Sequence, residues 1–119
     1  MSRAVDGPKR KNHRKKILKL AKGYWGRRHS NYKTAKDAVT KALSYAYRDR
    51  KDRKADFRKI WIIRINAAVR PLGLSYSRFI AGLAKAGIVI NRKALSNMAI
   101  EDEQSFKTIA EKAKAALGA

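Results

Sequence analysis

The chain reads as an all-α protein: a long, basic N-terminal helical extension that runs into a small C-terminal helical domain. Three observations predict it. From Arg27 to Arg70 there is neither glycine nor proline, a gap of 44 residues filled mostly with good helix formers. Beyond Pro71, apolar residues recur at helical spacing behind serine, asparagine and aspartate caps. The charge is divided unevenly: residues 1–59 hold 21 basic and 5 acidic side chains (net +16), and residues 60–119 hold 9 and 4 (net +5). Residues 1–58 are accordingly assigned to the extension and 59–119 to the globular domain.

The N-terminal segment carries Arg3, Gly7 and Pro8, then crowds Lys9, Arg10, Lys11, His13, Arg14, Lys15 and Lys16 together. Such a block repels itself and is expected to be disordered in free solution. Ile17, Leu18, Leu20 and Ala21 favour a short helix from about 9 to 22, which adds Lys19 and Lys22 to the cationic surface. Gly23 and Gly26 then bracket Tyr24 and Trp25, with Arg27, Arg28 and His29 following. That arrangement predicts a break between two helical segments.

Ser30 or Asn31 caps the next helix, expected over 31–70 and about 60 Å long at ~1.5 Å per residue. Lys33 falls in its first turn, and Tyr32, Ala35, Val39, Ala42, Leu43 and Ala46 form an apolar stripe. Farther on, Arg48, Arg50, Lys51, Arg53, Lys54, Arg58 and Lys59 circle the helix, with only Ala55 and Phe57 apolar from 48 to 58. Trp61, Ile62, Ile65, Ala68 and Val69 then restore an apolar face. A helix that is polar all round in its middle does not pack against its own protein there.

Pro71 and Gly73 stop the long helix. Ser75 opens a helix bearing Phe79, Ile80, Leu83 and Ala84, which Gly87 ends. Ile88, Val89 and Ile90 are expected to be extended and buried. Asn91 caps a short helix with Leu95, Met98 and Ala99, and Asp102 caps a last one with Phe106, Ile109, Ala110, Ala113 and Leu117. These three helices, packed on the Trp61–Val69 end of the long one, make a minimal core.

Function follows from the charge. The first half has too few apolar residues to offset its own repulsion and ordering entropy, so it requires an external polyanion. Lysine and arginine suit phosphate, and a cylinder charged on every side suits a crevice walled by folded RNA. Tyr24 and Trp25 either stack on unpaired bases or pack on the start of the long helix, and the sequence leaves both open. Asp49, Asp52 and Asp56 read as helix ion-pair partners, Asp49 with Arg53 and Asp56 with Lys59, and not as metal ligands. His13 and His29 have no acidic residue or cysteine at ligand or triad spacing, and are expected to contact backbone beside their basic neighbours. There is no cysteine and no glycine-rich phosphate loop. No enzyme activity, cofactor, metal or small-molecule substrate is therefore expected. The apolar runs Phe79–Ala84 and Ala86–Ile90 are too short to span a bilayer, so no membrane partner is expected. The basic character runs far past any plausible cleavage point, which weighs against a transit peptide. A competing reading is a helix-turn-helix DNA-binding protein, with Arg92 and Lys93 near the start of its second helix.

Several strings carry a resemblance further. Lys22-Gly23-Tyr24-Trp25-Gly26, Tyr45-Ala46-Tyr47-Arg48-Asp49-Arg50, and Phe57-Arg58-Lys59-Ile60-Trp61-Ile62 with Arg64-Ile65-Asn66-Ala67-Ala68 stand in this order. Ser75-Tyr76-Ser77-Arg78-Phe79-Ile80 and Asn91-Arg92-Lys93 follow. Together they resemble the L20 family of bacterial large-subunit ribosomal proteins over about residues 13–117. The resemblance implies a cytoplasmic protein of the ribosome with a helical arm in 23S rRNA and a small helical domain. It also implies an early role in large-subunit assembly, contacts with neighbouring ribosomal proteins, and in some bacteria repression of translation through the protein's own mRNA. The basic residues of 9–59 become the arm's RNA contacts, and Arg92 and Lys93 fall on the domain's RNA face. Pro71, unusual for the family, is expected to sharpen the end of the long helix.

Overall fold

The structure is a computed structural model that describes residues 7–118. Its elements are α1 (Gly7–Leu20), α2 (Tyr32–Val69), α3 (Tyr76–Lys85), α4 (Arg92–Glu101) and α5 (Glu103–Ala116), with 3-10 turns at Gly26–His29 and Arg70–Leu72. The all-helical expectation holds, with no strand among the described residues. Two compact units divide the chain within α2, residues 1–51 and 52–119.

In the first unit α1 covers Gly7–Leu20, where a short helix from about 9 to 22 was expected. The core here is small: Ala21, Ala35 and Val39 are buried, with Leu18 and Tyr24 packed on them. Leu43 does not join this stripe and stays exposed.

From Tyr47 to Ile60 every residue of α2 is exposed, residues 47–51 belonging to the first unit and 52–60 to the second. The helix reaches a core of its own at Ile65 and Val69. It ends in a 3-10 turn containing Pro71, beyond which the Leu74 N–H returns to the Val69 carbonyl at 3.2 Å.

That core joins Ile65, Val69, Leu74, Phe79, Leu83, Leu95, Phe106, Ala110 and Ala113, with the Phe79 and Phe106 rings 5.6 Å apart. Leu74 was not among the residues expected there, while Ala84 was expected and is exposed. The three caps predicted for this domain form. Ser75 Oγ accepts from Arg78 N–H at 3.4 Å, Asn91 Oδ1 from Ala94 N–H at 2.8 Å, and Asp102 Oδ1 from Ser105 N–H at 3.0 Å. The buried run at 88–90 needs correction. Ile88 and Ile90 pack on the core, but Val89 is 98% exposed, because an extended backbone sends successive side chains to opposite sides.

Two local features give measurable expectations. Ser96 is fully buried in α4, and its Oγ is the buried side-chain polar atom without a hydrogen-bond partner among the described residues. Ser96→Ala removes an unsatisfied group, so thermal melting should show a midpoint unchanged or raised. The second feature is the start of α5. The Ser105 hydroxyl and then its N–H bond the Asp102 carboxylate and hold its pKa below the ordinary value. A hydrogen bond from the Lys107 ammonium, 2.8 Å away, does the same for Glu103. Both pKa values are lowered by folding, so this stabilisation is complete above the ordinary carboxylate range and is lost as pH falls through the lowered values. Melting midpoints should therefore drop on acidification below about pH 4. Asp102→Asn, which keeps a capping side chain but cannot titrate, should show a shallower drop.

Candidate nucleic-acid interface

The predicted site residues within 7–118 lie on helices, on turns or in the loop at Tyr24 and Trp25; Arg3 falls outside the described residues. Lys9, Arg10, Lys11, His13, Arg14, Lys15, Lys16 and Lys19 are exposed on α1, and Lys22 follows in the turn after it. Arg27, Arg28 and His29 form the exposed 3-10 turn, and Lys33 opens α2. The seven basic residues from Arg48 to Lys59 stand on the fully exposed stretch of α2.

Aromatic rings hold four of these cations, and Lys41 besides. The Arg14 guanidinium lies 5.4 Å from the centroid of the Tyr32 ring, which also meets the edge of His13 at 6.4 Å. The Tyr45 ring carries Lys41 Nζ at 5.2 Å and the Arg48 guanidinium at 4.6 Å. Lys51 sits over Tyr47 at 4.4 Å, and Arg53 over Phe57 at 5.8 Å. Contacts one helical turn apart thus organise cations that would otherwise sample many rotamers. The sequence reading missed Tyr45 and Tyr47 in this role; their spacing of four from Lys41 and Lys51 is the signal that could have found them.

The aspartates divide. Asp56 forms an ion pair with Lys59 at 3.6 Å as expected. Asp49 takes Arg48 Nε at 2.9 Å, and the expected partner Arg53 turns to Phe57 instead. None of these acids belongs to a group of three or more metal-capable side chains among the described residues.

Tyr24 and Trp25 also part company. Tyr24 packs against Ala21, Ala35 and Val39, while Trp25 is 88% exposed. His29 Nδ1–H donates to the Tyr24 carbonyl at 3.0 Å, a backbone contact of the kind expected for it, and so closes the loop. His13 differs, meeting the Tyr32 ring edge-on where a backbone contact was expected. Positive φ at Gly23 (90°) and Gly26 (63°) lets the loop turn sharply on both sides of the pair.

In the second unit Arg92 Nε donates to Tyr76 Oη at 2.8 Å, a part-buried bond that joins the starts of α3 and α4. Lys93 lines a cavity of about 790 Å³ with Arg53, Arg58, Arg64, Phe57 and Trp61. Arg64, Phe57 and Trp61 were not among the predicted contacts. The helix-turn-helix reading fares poorly here. α3 and α4 each pack chiefly on α5, and α4 exposes Lys93, Asn97, Ile100 and Glu101, a poor set for reading base edges in a phosphate-lined groove.

No described helix is long and apolar enough to cross a membrane. Comparison with known proteins matches residues 3–109 to the family model for ribosomal protein L20. The large ribosomal subunit protein bL20 of Treponema denticola is 61% identical over 118 residues, 99% of each chain. That of Bradyrhizobium diazoefficiens is 57% identical over 119 residues, the whole of both chains, and that of Acetivibrio thermocellus 55% identical over 117 residues, 98% of this chain and all of the relative. These relatives are named as ribosomal proteins and not as enzymes or DNA regulators. With such identity along its whole length, the chain belongs to the ribosomal protein L20 family.

Proposed function

We propose that the protein is a structural constituent of the large ribosomal subunit that binds 23S rRNA and promotes an early step of subunit assembly in the cytoplasm. The carrying observation is the fully exposed stretch of α2 at 47–60, where seven basic side chains face solvent on every side. A helix folded this way buries nothing of its own there, so its stability and its purpose lie in a partner that surrounds it. Lysine and arginine let phosphate-rich segments approach one another, and released counterions drive the association. Residues 1–58 act as the RNA-penetrating extension and 59–119 as the globular domain, where Arg92 and Lys93 add contacts. Neighbouring large-subunit proteins pack alongside, and binding to its own mRNA would make the protein a translational repressor.

Retention on structured large-subunit rRNA and on duplex DNA at equal salt tests this. Stronger retention on the rRNA is expected; a clear preference for duplex DNA would overturn it. Sedimentation adds a second check, with the protein remaining on the large subunit through a high-salt wash.

The extension is expected to fold on RNA. In its unit Val39 is the one fully covered apolar side chain larger than alanine among the described residues, worth about 1.5–3 kcal/mol against an entropy cost of ~1–2 kcal/mol for each ordered residue. Limited proteolysis of the RNA-free protein should remove most of residues 1–55 and leave a core beginning near residue 58. Protection of the extension without RNA would show that it orders itself.

A further inference from the structure

The first unit holds a cavity of about 560 Å³ whose chemistry differs from the phosphate-binding surface around it. Tyr24, Trp25, Arg28, Asp37, Lys41 and Tyr45 line it. A volume of this size accommodates one nucleotide. Tyr45 already carries two cations on its ring. Trp25 carries none among the described residues, which leaves a large, exposed indole as the uncovered stacking surface. The loop that presents it is pinned by the His29–Tyr24 bond and by Tyr24 packing on the core.

Asp37 is the unusual member. It is exposed on α2 within a chain of formal charge +21, with Lys33 and Lys41 one turn away on either side. It nevertheless forms no ion pair or hydrogen bond among the described residues. An ionised carboxylate only accepts hydrogen bonds, and phosphate repels it. On RNA, its partners must be hydroxyl groups or the N–H groups of bases. Among base edges, guanine alone offers two adjacent donors, N1–H and N2–H, that match the two carboxylate oxygens. Adenine and cytosine set one amino group beside an acceptor, and uracil flanks its single N–H with two acceptors.

We propose that this cavity takes one unpaired guanosine of the bound RNA, the base stacked on Trp25 and its Watson–Crick edge read by Asp37, while Arg28 and Lys41 hold the flanking phosphates. The site rests on the RNA-binding reading above. It gives a cationic surface that is otherwise indifferent to sequence one point of base selection.

The test uses the full chain carrying Trp61→Phe, so that Trp25 is the only tryptophan. Labelled heptamers of uridine with a central guanosine, adenosine or inosine, and the all-uridine heptamer, are titrated by fluorescence anisotropy while Trp25 emission is followed. Guanosine should bind about tenfold more tightly than adenosine, with inosine, which lacks the 2-amino group, in between. Trp25 quenching should be strongest with guanosine. Asp37→Asn should reduce the guanosine preference to about twofold or less while slightly strengthening all-uridine binding, since one negative charge is lost. Equal affinity for all four heptamers, or a guanosine preference that survives Asp37→Asn, overturns the site. Retention of structured large-subunit RNA, measured in parallel, separates the two levels. If that RNA is held but the heptamers are not distinguished, only the guanosine site fails; if it is not held, the RNA-binding reading fails as well.

Discussion

Raising monovalent salt from about 50 to 200 mM should weaken the protein's hold on large-subunit RNA by about 10³- to 10⁵-fold. The expectation rests on number and exposure. Seven cations from Arg48 to Lys59 are exposed together on α2, and α1 with its following turn adds more. If ~8–10 of these meet phosphates, log affinity falls by ~0.7–0.9 per contact for each tenfold rise in salt. Cations already braced on aromatic rings, such as Lys51 on Tyr47, lose less freedom on binding than free lysines would. Filter binding or anisotropy across a salt series measures the slope directly. A nearly flat dependence would mean that charge neutralisation is not the mechanism, whatever RNA is bound.

Gly82→Ala should lower the stability of the protein by about 3 kcal/mol, at the upper end of what overpacking costs. Gly82 lies inside α3, where glycine is ordinarily about 1 kcal/mol worse than alanine. Its presence is explained by α5. A Cβ at this position would stand 2.9 Å from the Ala113 carbonyl carbon and 3.0 Å from Ala113 Cβ, with the carbonyl oxygen nearer still. Backbone cannot swing aside as a lysine tip can, so α3 and α5 must separate, and the Phe79–Phe106 contact between them loosens. Against a total of about 5–15 kcal/mol for a typical domain, that loss is severe. Gly87→Ala supplies the contrast. Gly87 has φ +70°, and nothing lies within 4 Å of an added Cβ, so the left-handed backbone alone costs about 1 kcal/mol. Urea denaturation of both variants measures the difference; equal losses would show that the close approach of α3 to α5 is not limiting.

Much of this protein was determined by the sequence alone, because helices, caps and charge are local matters. A hydrogen-bonding cap is complete within four residues, so Ser75, Asn91 and Asp102 could be placed without any knowledge of packing. The exposed stretch of α2 was legible for a similar reason: a segment with charges on every side has no face to bury. What the tertiary structure decided were choices between neighbours that share a composition. It covers Tyr24 and exposes Trp25, because Ala21 from one side of the loop and Ala35 and Val39 from the other meet beneath only one of the two rings. It gives Asp49 to Arg48, although Arg53 stands at the better helical spacing, because the Phe57 ring competes for Arg53. It turns Val89 outward from an apolar run, and it requires glycine at position 82 through a carbonyl that arrives from thirty-one residues away. Asp49 and Val89 were settled among near neighbours, by competition for Arg53 and by alternation along the backbone. The covering of Tyr24 and the glycine at 82 depend on groups distant in the chain, and no period or spacing in the sequence encodes where those groups arrive.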